Sequence, residues 1–468
     1  MRQGLAIFAA AGLVAATLPF VREHDGAIAE LLSKAKIAVG GGSAPKKTVD
    51  PPPLTGIELQ NIDDRREVLI APAHGKRNAE LTLDPIYQRA AQSFLRQGQV
   101  YEGAVVMTDV RTGRVLVWAS HNAGRPRDLN VEATAPSASI FKIVTGSALV
   151  EAGVPLTEKF CYSGDGEHGI TQDHLEPDKE RDKYCESLGM AMGRSLNPIF
   201  GRLAKEHLTP AKLEGAAHRL GWELDVPFDV AVAPSTLDVP TEDDLEFART
   251  AAGFWHSTLS PFQGANLAQT IANGGVMIRS FVVERVVDEK DEVIYERPKE
   301  RQELRRVLDE KTAWAVTRMM EQTVRNGSSF RSFHDRTGRP FLPEIPVAGK
   351  TGTLEKKDQA GGTLYTWWVG FAPARKPEVA IAVLIANRGS WKIKGTHVAA
   401  DMLRIYFADQ GRAGVHYPPN FDGPKRGPTE KPKDGAKPEE AKPENKNELS
   451  DPDVNEARAE EAAEAKSS

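Results

Sequence analysis

Two groups of strand-like segments, separated by a long helical region, constrain the fold of this chain more than any other feature. Near the start, Gly103–Asp109 and Arg114–Ser120 are apolar segments joined by a short turn, which predicts a β-hairpin. Three more strands are predicted at Val347–Leu354, Tyr365–Phe371 and Val379–Ile385. Residues 186–278 have mostly helical patterning, and a last helix is predicted at Thr396–Phe407. This order favours one antiparallel sheet built from both ends of an α+β domain.

The segments on either side of the globular region, residues 81–410, have different compositions. Residues 22–80 contain a run of glycines and a run of prolines, which predicts a stalk or linker with a short strand near Glu67–Ile70. Residues 411–468 are rich in lysine, glutamate and proline, which predicts a disordered tail. The 468 residues are therefore expected to hold one folded domain with extensions.

The N-terminus, residues 1–21, combines Arg2 with an uncharged apolar segment from Gly4 to Val21. Such a segment predicts an uncleaved membrane anchor or, alternatively, a signal peptide that is cleaved near Ala27–Ala29. Because either alternative exports the rest of the chain, the globular region is expected outside the cytoplasm.

The overall charge and the cysteine count exclude several classes of protein. A formal net charge of −5 argues against a dedicated nucleic-acid binder, which would carry a strong basic excess. Two cysteines exclude a disulfide-dense miniprotein and an all-cysteine zinc module.

Ser139 and Lys142 form a Ser-x-x-Lys motif at the start of a helix predicted over Ser139–Ala152. A spacing of three places both side chains on one face of a helix. A serine hydroxyl needs a nearby base to become a nucleophile, and a lysine can be that base where burial lowers its pKa. Ser33–Lys36 and Ser43–Lys46 also match, but they lie in the stalk, where nothing desolvates the lysine. Taken alone, this motif favours a helix-start serine beside a snorkelling lysine.

Two further short motifs follow along the chain. Ser195–Pro198 suggests a serine that relays a proton and an asparagine, Asn197, that holds an amide; the alternative is that Asn197 is a helix N-cap. Lys350–Thr353 lies in a predicted strand, where Gly352 would let another backbone approach closely. This motif offers a positive charge and hydroxyl donors to a carboxylate, unless it is an ordinary edge strand.

The three motifs, spaced 56 residues from Ser139 to Ser195 and 155 from Ser195 to Lys350, resemble those of serine acyltransferases that react with penicillin. The chain is similar to the transpeptidase domain of penicillin-binding proteins over about residues 81–407. The likeness includes segments outside the motifs: Leu81–Asp84 with Gln88, Gly103–Ser120, Ser260–Gln263, Ala272–Gly275 and Trp367–Pro373.

The resemblance implies a role for each motif residue. Ser139 would form an acyl-enzyme with a stem peptide ending in D-Ala-D-Ala, with Lys142 as its base and the backbone N–H groups of Ser139 and Thr353 as the oxyanion hole. Ser195 would pass a proton to the leaving amine, and Lys350 would support it electrostatically. Substrate binding would fall to Asn197, Thr351, Gly352 and Thr353. An amine from a neighbouring stem peptide would then form the cross-link, without a cofactor or a metal ion.

The resemblance also implies the fold, location and partners of the domain. We expect an α/β/α sandwich with a central five-stranded antiparallel sheet, flanking helices and an all-helical subdomain. The expected partners are peptidoglycan stem peptides, β-lactam antibiotics, other cell-wall synthesis proteins and the inner membrane through residues 1–21, with the domain in the periplasm. Two features depart from the family: Ala138 replaces the usual glycine, and residues 22–80 are too few for an extra N-terminal domain or a glycosyltransferase.

Cys161 and Cys185 bracket a polar segment that contains His168 and His174. In an exported domain, the simplest interpretation is one disulfide that closes a surface loop. The alternatives are two unpaired thiols and a Cys2His2 zinc site, although the spacing of these residues fits no compact metal motif.

Other functions are compatible with the same motifs. A D,D-carboxypeptidase would use water instead of an amine, and a β-lactamase would need a deacylating base. The chain contains no Glu-x-x-Leu-Asn segment of the kind that class A β-lactamases carry. A β-lactam sensor or slow binding module in a wall-synthesis complex is an alternative of another class, but it would need none of the three motifs.

Overall fold

The structure is a computed structural model that describes residues 51–421 and 423, apart from residues 65–66, 125–126, 165–168, 359–360 and 389–391. The predicted anchor or signal, part of the predicted stalk and most of the predicted tail lie outside the described residues. Within the described ranges, no helix has both the length and the apolar character needed to cross a membrane.

The elements follow the predicted order of a hairpin, a partly helical middle, three strands and a last helix. The strands are β1 (Ile70–Ala73), β2 (Arg77–Leu81), β3 (Glu102–Asp109), β4 (Val115–Asn122), β5 (Ala135–Pro136), β6 (Lys159–Tyr162), β7 (Tyr184–Ser187), β8 (Thr258–Leu259), β9 (Val276–Ile278), β10 (Val283–Val287), β11 (Val293–Glu296), β12 (Glu303–Arg306), β13 (Ala348–Asp358), β14 (Gly361–Ala372) and β15 (Val379–Arg388). The helices are α1 (Pro85–Gln97), α2 (Lys142–Glu151), α3 (Leu188–Arg194), α4 (Asn197–His207), α5 (Pro210–Arg219), α6 (Asp244–Ala252), α7 (Pro261–Ala272), α8 (Glu310–Arg325), α9 (Phe330–Phe333) and α10 (Gly395–Asp409).

The central sheet has five strands in the spatial order β13-β14-β15-β3-β4, and every neighbouring pair is antiparallel. The early hairpin joins the three late strands where β15 pairs with β3, with Val379 opposite Asp109 and Ala386 opposite Glu102. The predicted sheet is therefore confirmed. Strand β13, which contains the Lys350 motif, lies at its edge.

Residues along β3 alternate between the two faces of the sheet, so a core forms on each side. Val105 and Met107 pack with α1 and α10, whereas Ala104 and Val106 pack with α7. All four side chains are fully buried. Helices thus cover both faces, as expected for an α/β/α sandwich.

A helical region lies beside the α7 side of the sheet and contains α2 to α6 together with α8. Helix α8 contacts α2 and α3, and α4 packs against α6. The middle of the chain is less helical than predicted, because residues 220–243 form no helix. This loop is held by Asp229, whose carboxylate accepts hydrogen bonds from the N–H groups of Val282 and Val283 at 2.8 and 2.9 Å and pairs with Arg279.

Both ends of the described chain pack onto the domain. Strands β1 and β2 join β10 and β11 in a four-stranded sheet. The short strand predicted near Glu67–Ile70 begins instead at Ile70, because the turn His74–Lys76 sets its pairing with β2. At the other end, Val415 is buried and Phe421 packs against the core.

Candidate active site

Ser139 lies in a single 3-10 turn, Ala138–Phe141, that leads directly into α2. The sequence predicted an α-helix from Ser139, but the structure has this tighter turn in its place. Side chains three residues apart eclipse each other in a 3-10 turn. Lys142 Nζ consequently lies 2.9 Å from Ser139 Oγ, at hydrogen-bond distance. Because Ser139 is partly exposed, a substrate can reach its hydroxyl.

The residue before Ser139 has an unusual backbone conformation. Ala138 has φ +49°, in the left-handed region that glycine adopts without strain and other residues rarely adopt. Two glycines make room for this turn. A Cβ on Gly253 would collide with the Ala138 carbonyl oxygen, and a Cβ on Gly352 would lie 3.2 Å from Ala138 Cβ. Gly352 thus allows β13 to pack against the turn that carries Ser139.

Lys142 is fully buried, and no carboxylate among the described residues hydrogen-bonds to it. Burial, followed by the nearby charge of Lys350, holds the pKa of Lys142 well below its ordinary value. Its Nζ donates to Asn197 Oδ1 at 2.7 Å and to Ala252 O at 2.6 Å. Once Lys142 loses a proton, its amine has two N–H bonds for these two acceptors and one lone pair for the Ser139 hydroxyl.

Ser195 and Asn197 lie at the junction between α3 and α4. Ser195 ends α3 in the left-handed conformation, with φ +62°, which turns the chain sharply between the two helices. Asn197 is the first residue of α4, and the N-cap position belongs to Leu196. The alternative that Asn197 serves as an N-cap is therefore wrong, because its side chain binds Lys142 instead.

Lys350 is the second fully buried lysine of the site. Its Nζ donates to Ser195 Oγ at 2.8 Å and to Thr351 O at 2.9 Å. Burial lowers the pKa of Lys350 to about 7. Its ammonium group therefore titrates near neutral pH while it lies at hydrogen-bond distance from Ser195 Oγ.

Thr351 and Thr353 lie on the edge strand β13, where backbone and side-chain groups can meet a bound peptide. Thr353 is exposed, and Thr351 is partly buried. The Thr351 hydroxyl lies 2.6 Å from Ser328 Oγ, and the Ser328 N–H donates to Gly193 O at 2.9 Å. Ser328 thereby connects the strand to the segment just before Ser195.

All the motif residues that the structure brings together were predicted from the sequence, but Ser328 and the Ala252 carbonyl were not. The available signal for Ser328 was Gly327-Ser328-Ser329, a small-residue segment between a predicted helix and the Lys350 strand. No side-chain pattern could indicate Ala252, because the group involved is a backbone carbonyl at the end of α6.

Cys161 and Cys185 form a disulfide across the paired strands β6 and β7, as the sequence predicted. Since both sulfurs are bonded to each other, the alternative of a Cys2His2 zinc site is wrong. His174 Nδ1 lies 2.9 Å from Thr171 Oγ1, while His168 lies outside the described residues. Strand β7 leads into α3, which ends at Ser195, so the disulfide links β6 to the strand that precedes this helix.

Metal-ligating side chains also meet away from these motifs. Within the described part of the chain, Glu214, His218 and Glu223 place their polar atoms within 4.8 Å of one another. His218 Nε2 already lies 2.6 Å from Glu223 Oε2, and none of the three contacts Ser139 or Lys142.

Comparisons with known proteins agree on one family. The family model for the penicillin binding protein transpeptidase domain matches residues 103–405. The peptidoglycan D,D-transpeptidase PbpA of Mycobacterium tuberculosis is 27% identical over 348 residues, which cover 66% of this chain and 67% of that protein.

Two crystal structures share the fold. That of PBPA from Mycobacterium tuberculosis has a TM-score of 0.56 at 25% identity and covers 70% of this chain and 79% of that one. The D,D-transpeptidase domain of a peptidoglycan glycosyltransferase from Eggerthella lenta has a TM-score of 0.58 at 25% identity, with coverage of 71% and 83%.

Proposed function

The chain belongs to the penicillin-binding protein transpeptidase family, and from this premise we propose that it is a peptidoglycan D,D-transpeptidase that cross-links the cell wall through a Ser139 acyl-enzyme. Its donor substrate is a stem peptide that ends in D-Ala-D-Ala, and β-lactam antibiotics acylate the same serine. One observation carries the proposal: a buried lysine with a lowered pKa lies 2.9 Å from a partly exposed serine, beside a second Ser–Lys pair whose lysine is also fully buried.

Acylation begins when Ser139 Oγ attacks the carbonyl carbon between the two D-alanines. Lys142 Nζ accepts the hydroxyl proton, because its two N–H bonds are already directed at Asn197 and Ala252. The N–H groups of Ser139 and Thr353 stabilise the oxyanion of the tetrahedral intermediate. Asn197, whose Oδ1 is held by Lys142, binds the side amide of the substrate.

Collapse of this intermediate expels the terminal D-alanine. Ser195 passes a proton to the departing amine, and the Lys350 ammonium stabilises the charge that develops there. Thr351 and Thr353 hold the terminal carboxylate, with Gly352 keeping their strand close to Ser139. The side-chain amine of a second stem peptide then attacks the acyl-enzyme, which forms the cross-link and releases Ser139.

We further propose that the domain works in the periplasm, attached to the inner membrane by residues 1–21, with secretion after signal cleavage as the alternative. The Cys161–Cys185 disulfide supports an oxidising compartment, because cytosolic thiols are kept reduced. In this location the domain would act beside other cell-wall synthesis proteins.

Covalent labelling with a fluorescent penicillin tests the proposal. We expect wild-type protein to carry a stable label and Ser139→Ala to carry none. Ser43→Ala is the matched control, since Ser43–Lys46 has the same Ser-x-x-Lys spacing in the predicted stalk, and its labelling should equal that of the wild type.

The lifetime of the label and the product of a peptide reaction distinguish a transpeptidase from a β-lactamase and a carboxypeptidase. Rapid loss of label would indicate a β-lactamase, and labelling that survives Ser139→Ala would contradict the proposed nucleophile. With a pentapeptide donor and an amine acceptor, cross-linked product identifies a transpeptidase, whereas only the trimmed peptide identifies a carboxypeptidase.

A further inference from the structure

Two buried serine hydroxyls meet just before the residue proposed as the nucleophile. Ser137 Oγ lies 2.5 Å from Ser257 Oγ, and the Ser137 N–H donates to Ser257 O at 2.9 Å. Ser137 is fully buried, and only 3% of Ser257 is exposed. The proposed reaction uses neither hydroxyl, so this buried polar pair has another purpose.

The pair lies directly beyond a two-residue ladder between strands β5 and β8. In this ladder Ala135 is opposite Leu259 and Pro136 is opposite Thr258. Proline has no N–H group, so Pro136 donates no hydrogen bond to β8. The hydroxyl pair therefore adds a contact to a ladder that lacks one of its backbone donors.

The peptide group between Ala138 and Ser139 is in contact with this pair. Ser137 Oγ lies 3.5 Å from Ala138 O, and a Cβ on Gly253 would collide with the same oxygen. In a trans peptide the C=O and the N–H point in opposite directions. The Ser139 N–H therefore points away from Gly253, and no residue that the structure describes accepts a hydrogen bond from it.

Ala138 does not favour this orientation by itself. Its φ of +49° lies in the left-handed region, which is less stable than the helical and extended regions for any residue with a Cβ. Such a conformation persists only where the surrounding contacts favour it, and the net gain from one hydrogen bond is of the same order as its cost. Without the hydroxyl pair, Ala138 can relax to a negative φ, which turns the Ser139 N–H to a new direction.

Resting on the proposed function, we propose that Ser137 and Ser257 are positioning residues: they hold Ala138 in the left-handed conformation and so aim the Ser139 N–H into the oxyanion hole. Both serines are buried, out of reach of the substrate. Their effect reaches the reaction through one N–H group, which stabilises the oxyanion of the transition state more than the carbonyl oxygen of the ground state. Loss of the pair therefore slows acylation without weakening the initial binding.

Single-turnover acylation of the full-length protein by a β-lactam tests this role. Its dependence on β-lactam concentration separates the acylation rate constant from the dissociation constant of the initial complex. We expect Ser257→Ala, which keeps the backbone hydrogen bond from Ser137, to lower the rate constant about tenfold and to leave the dissociation constant unchanged. Ser137→Ala removes the pair from its other side and should give at least the same loss.

A glycine at position 138 gives the measurement that a merely structural role would not change. Glycine adopts a φ of +49° without strain, so the double variant Ala138→Gly/Ser257→Ala should recover the acylation rate constant to within about threefold of the wild type. If the serine pair only stabilised the fold, the added glycine would bring no recovery.

Ser147→Ala is the matched control. The Ser147 hydroxyl is also fully buried, but it donates to Ile143 O at 2.8 Å within α2. Its loss should leave the acylation rate constant at the wild-type value. Thermal unfolding identifies any variant that does not fold, and if one of the two serine variants fails to fold, the other decides the test.

The outcomes distinguish this inference from the proposed function. An unchanged rate constant in the serine variants, a loss confined to the dissociation constant, or a loss that Ala138→Gly does not reverse would overturn the positioning role alone. A wild-type protein that forms no acyl-enzyme at Ser139 would overturn the proposed function and the positioning role together.

Discussion

The site contains two serine–lysine pairs with similar distances between Oγ and Nζ. The residues of one pair are neighbours in the chain, and those of the other are far apart. Ser139 and Lys142 are three residues apart and meet through one 3-10 turn, with 2.9 Å between Oγ and Nζ. Ser195 and Lys350 are 155 residues apart and meet only where a helical turn faces the edge of the sheet, with 2.8 Å between the same atoms. Local backbone geometry forms the first pair, and the packing of two parts of the domain forms the second.

The two lysines also differ in what lowers their pKa values. Both are fully buried, but Lys142 experiences the charge of Lys350 in addition to burial. Its pKa therefore falls well below the ordinary value, while that of Lys350 falls to about 7. Two equally buried lysines can thus serve different purposes, Lys142 as the proposed base and Lys350 as a cation that titrates near pH 7.

Removing the base of the local pair should have the largest effect on rate. We expect Lys142→Met to slow acylation of Ser139 by a β-lactam by roughly 10²–10⁴-fold, the usual contribution of a positioned general base. Stopped-flow measurement of acylation under single-turnover conditions gives the rate. Lys142→Arg is the informative companion, because a guanidinium stays protonated and should fail to restore the rate. Acylation by Lys142→Arg near the wild-type rate would contradict a base role.

The non-local pair should contribute less to the rate and should act through charge. We expect Lys350→Met to slow acylation by about 10²-fold, since one electrostatic donor at a developing charge is typically worth this much. In the wild type, acylation should decline above pH 7 as Lys350 loses its proton. Lys350→Arg should shift that decline to higher pH, because its guanidinium does not titrate there. An identical alkaline limb in both proteins would show that another group controls it.

The same lysine should lower stability in a pH-dependent way. Below pH 7 Lys350 is protonated in the folded and the unfolded state, and the full cost of burying its charge is present. Between pH 7 and its ordinary pKa of 10.5, the unfolded state binds more protons, so stability rises with pH. We therefore expect Lys350→Met to raise the free energy of unfolding by about 2 kcal/mol at pH 6, with a smaller gain at pH 10. Denaturant titrations at both pH values measure the difference, and a gain that does not depend on pH would contradict the argument.

The smallest expected effect belongs to Ser328, which connects the two sides of the non-local pair. We expect Ser328→Ala to slow acylation about three- to tenfold with a β-lactam that carries its free carboxylate, because Thr351 loses its hydroxyl partner. The methyl ester of the same β-lactam should show no additional loss. Ser328→Thr retains the hydroxyl and serves as the control, and an equal loss with acid and ester would mean that Ser328 has only a structural role.

Sequence patterns predicted the fold well where burial on both faces of a strand leaves a continuous apolar run. The hairpin, the three late strands and the last helix all appear, and β13 and β14 are longer than predicted because they pair along their whole length. The helical middle was overestimated, because residues 220–243 are held by Asp229 and not by helical hydrogen bonds. A buried carboxylate that caps backbone groups far along the chain leaves no periodic signal.

The residues of the candidate site also divide into those with a local signal in the sequence and those whose contacts arise only from folding. Any tight helical turn brings a serine and a lysine three residues apart together, but Ser33–Lys36 and Ser43–Lys46 share this spacing, so Ser139 and Lys142 were singled out only by the order of all three motifs. For Asn197 the local signal favoured an N-cap, and only the position of Lys142 Nζ, 2.7 Å from its Oδ1, shows where the side chain is engaged. Ser328 and the Ala252 carbonyl had no local signal, because their contacts join segments distant in the chain.

The sequence alone therefore determined which chemical groups are available: two serines, two lysines, an asparagine and a pair of cysteines, in an order that resembles one family. The tertiary structure decided which of them meet and in what protonation state. The physical reason is that pKa values depend on burial and on charges brought close by folding, and both arise from packing between elements far apart in the chain. The burial and the charge of Lys350 that lower the pKa of Lys142, and the burial that lowers the pKa of Lys350 to about 7, exist only in the folded domain.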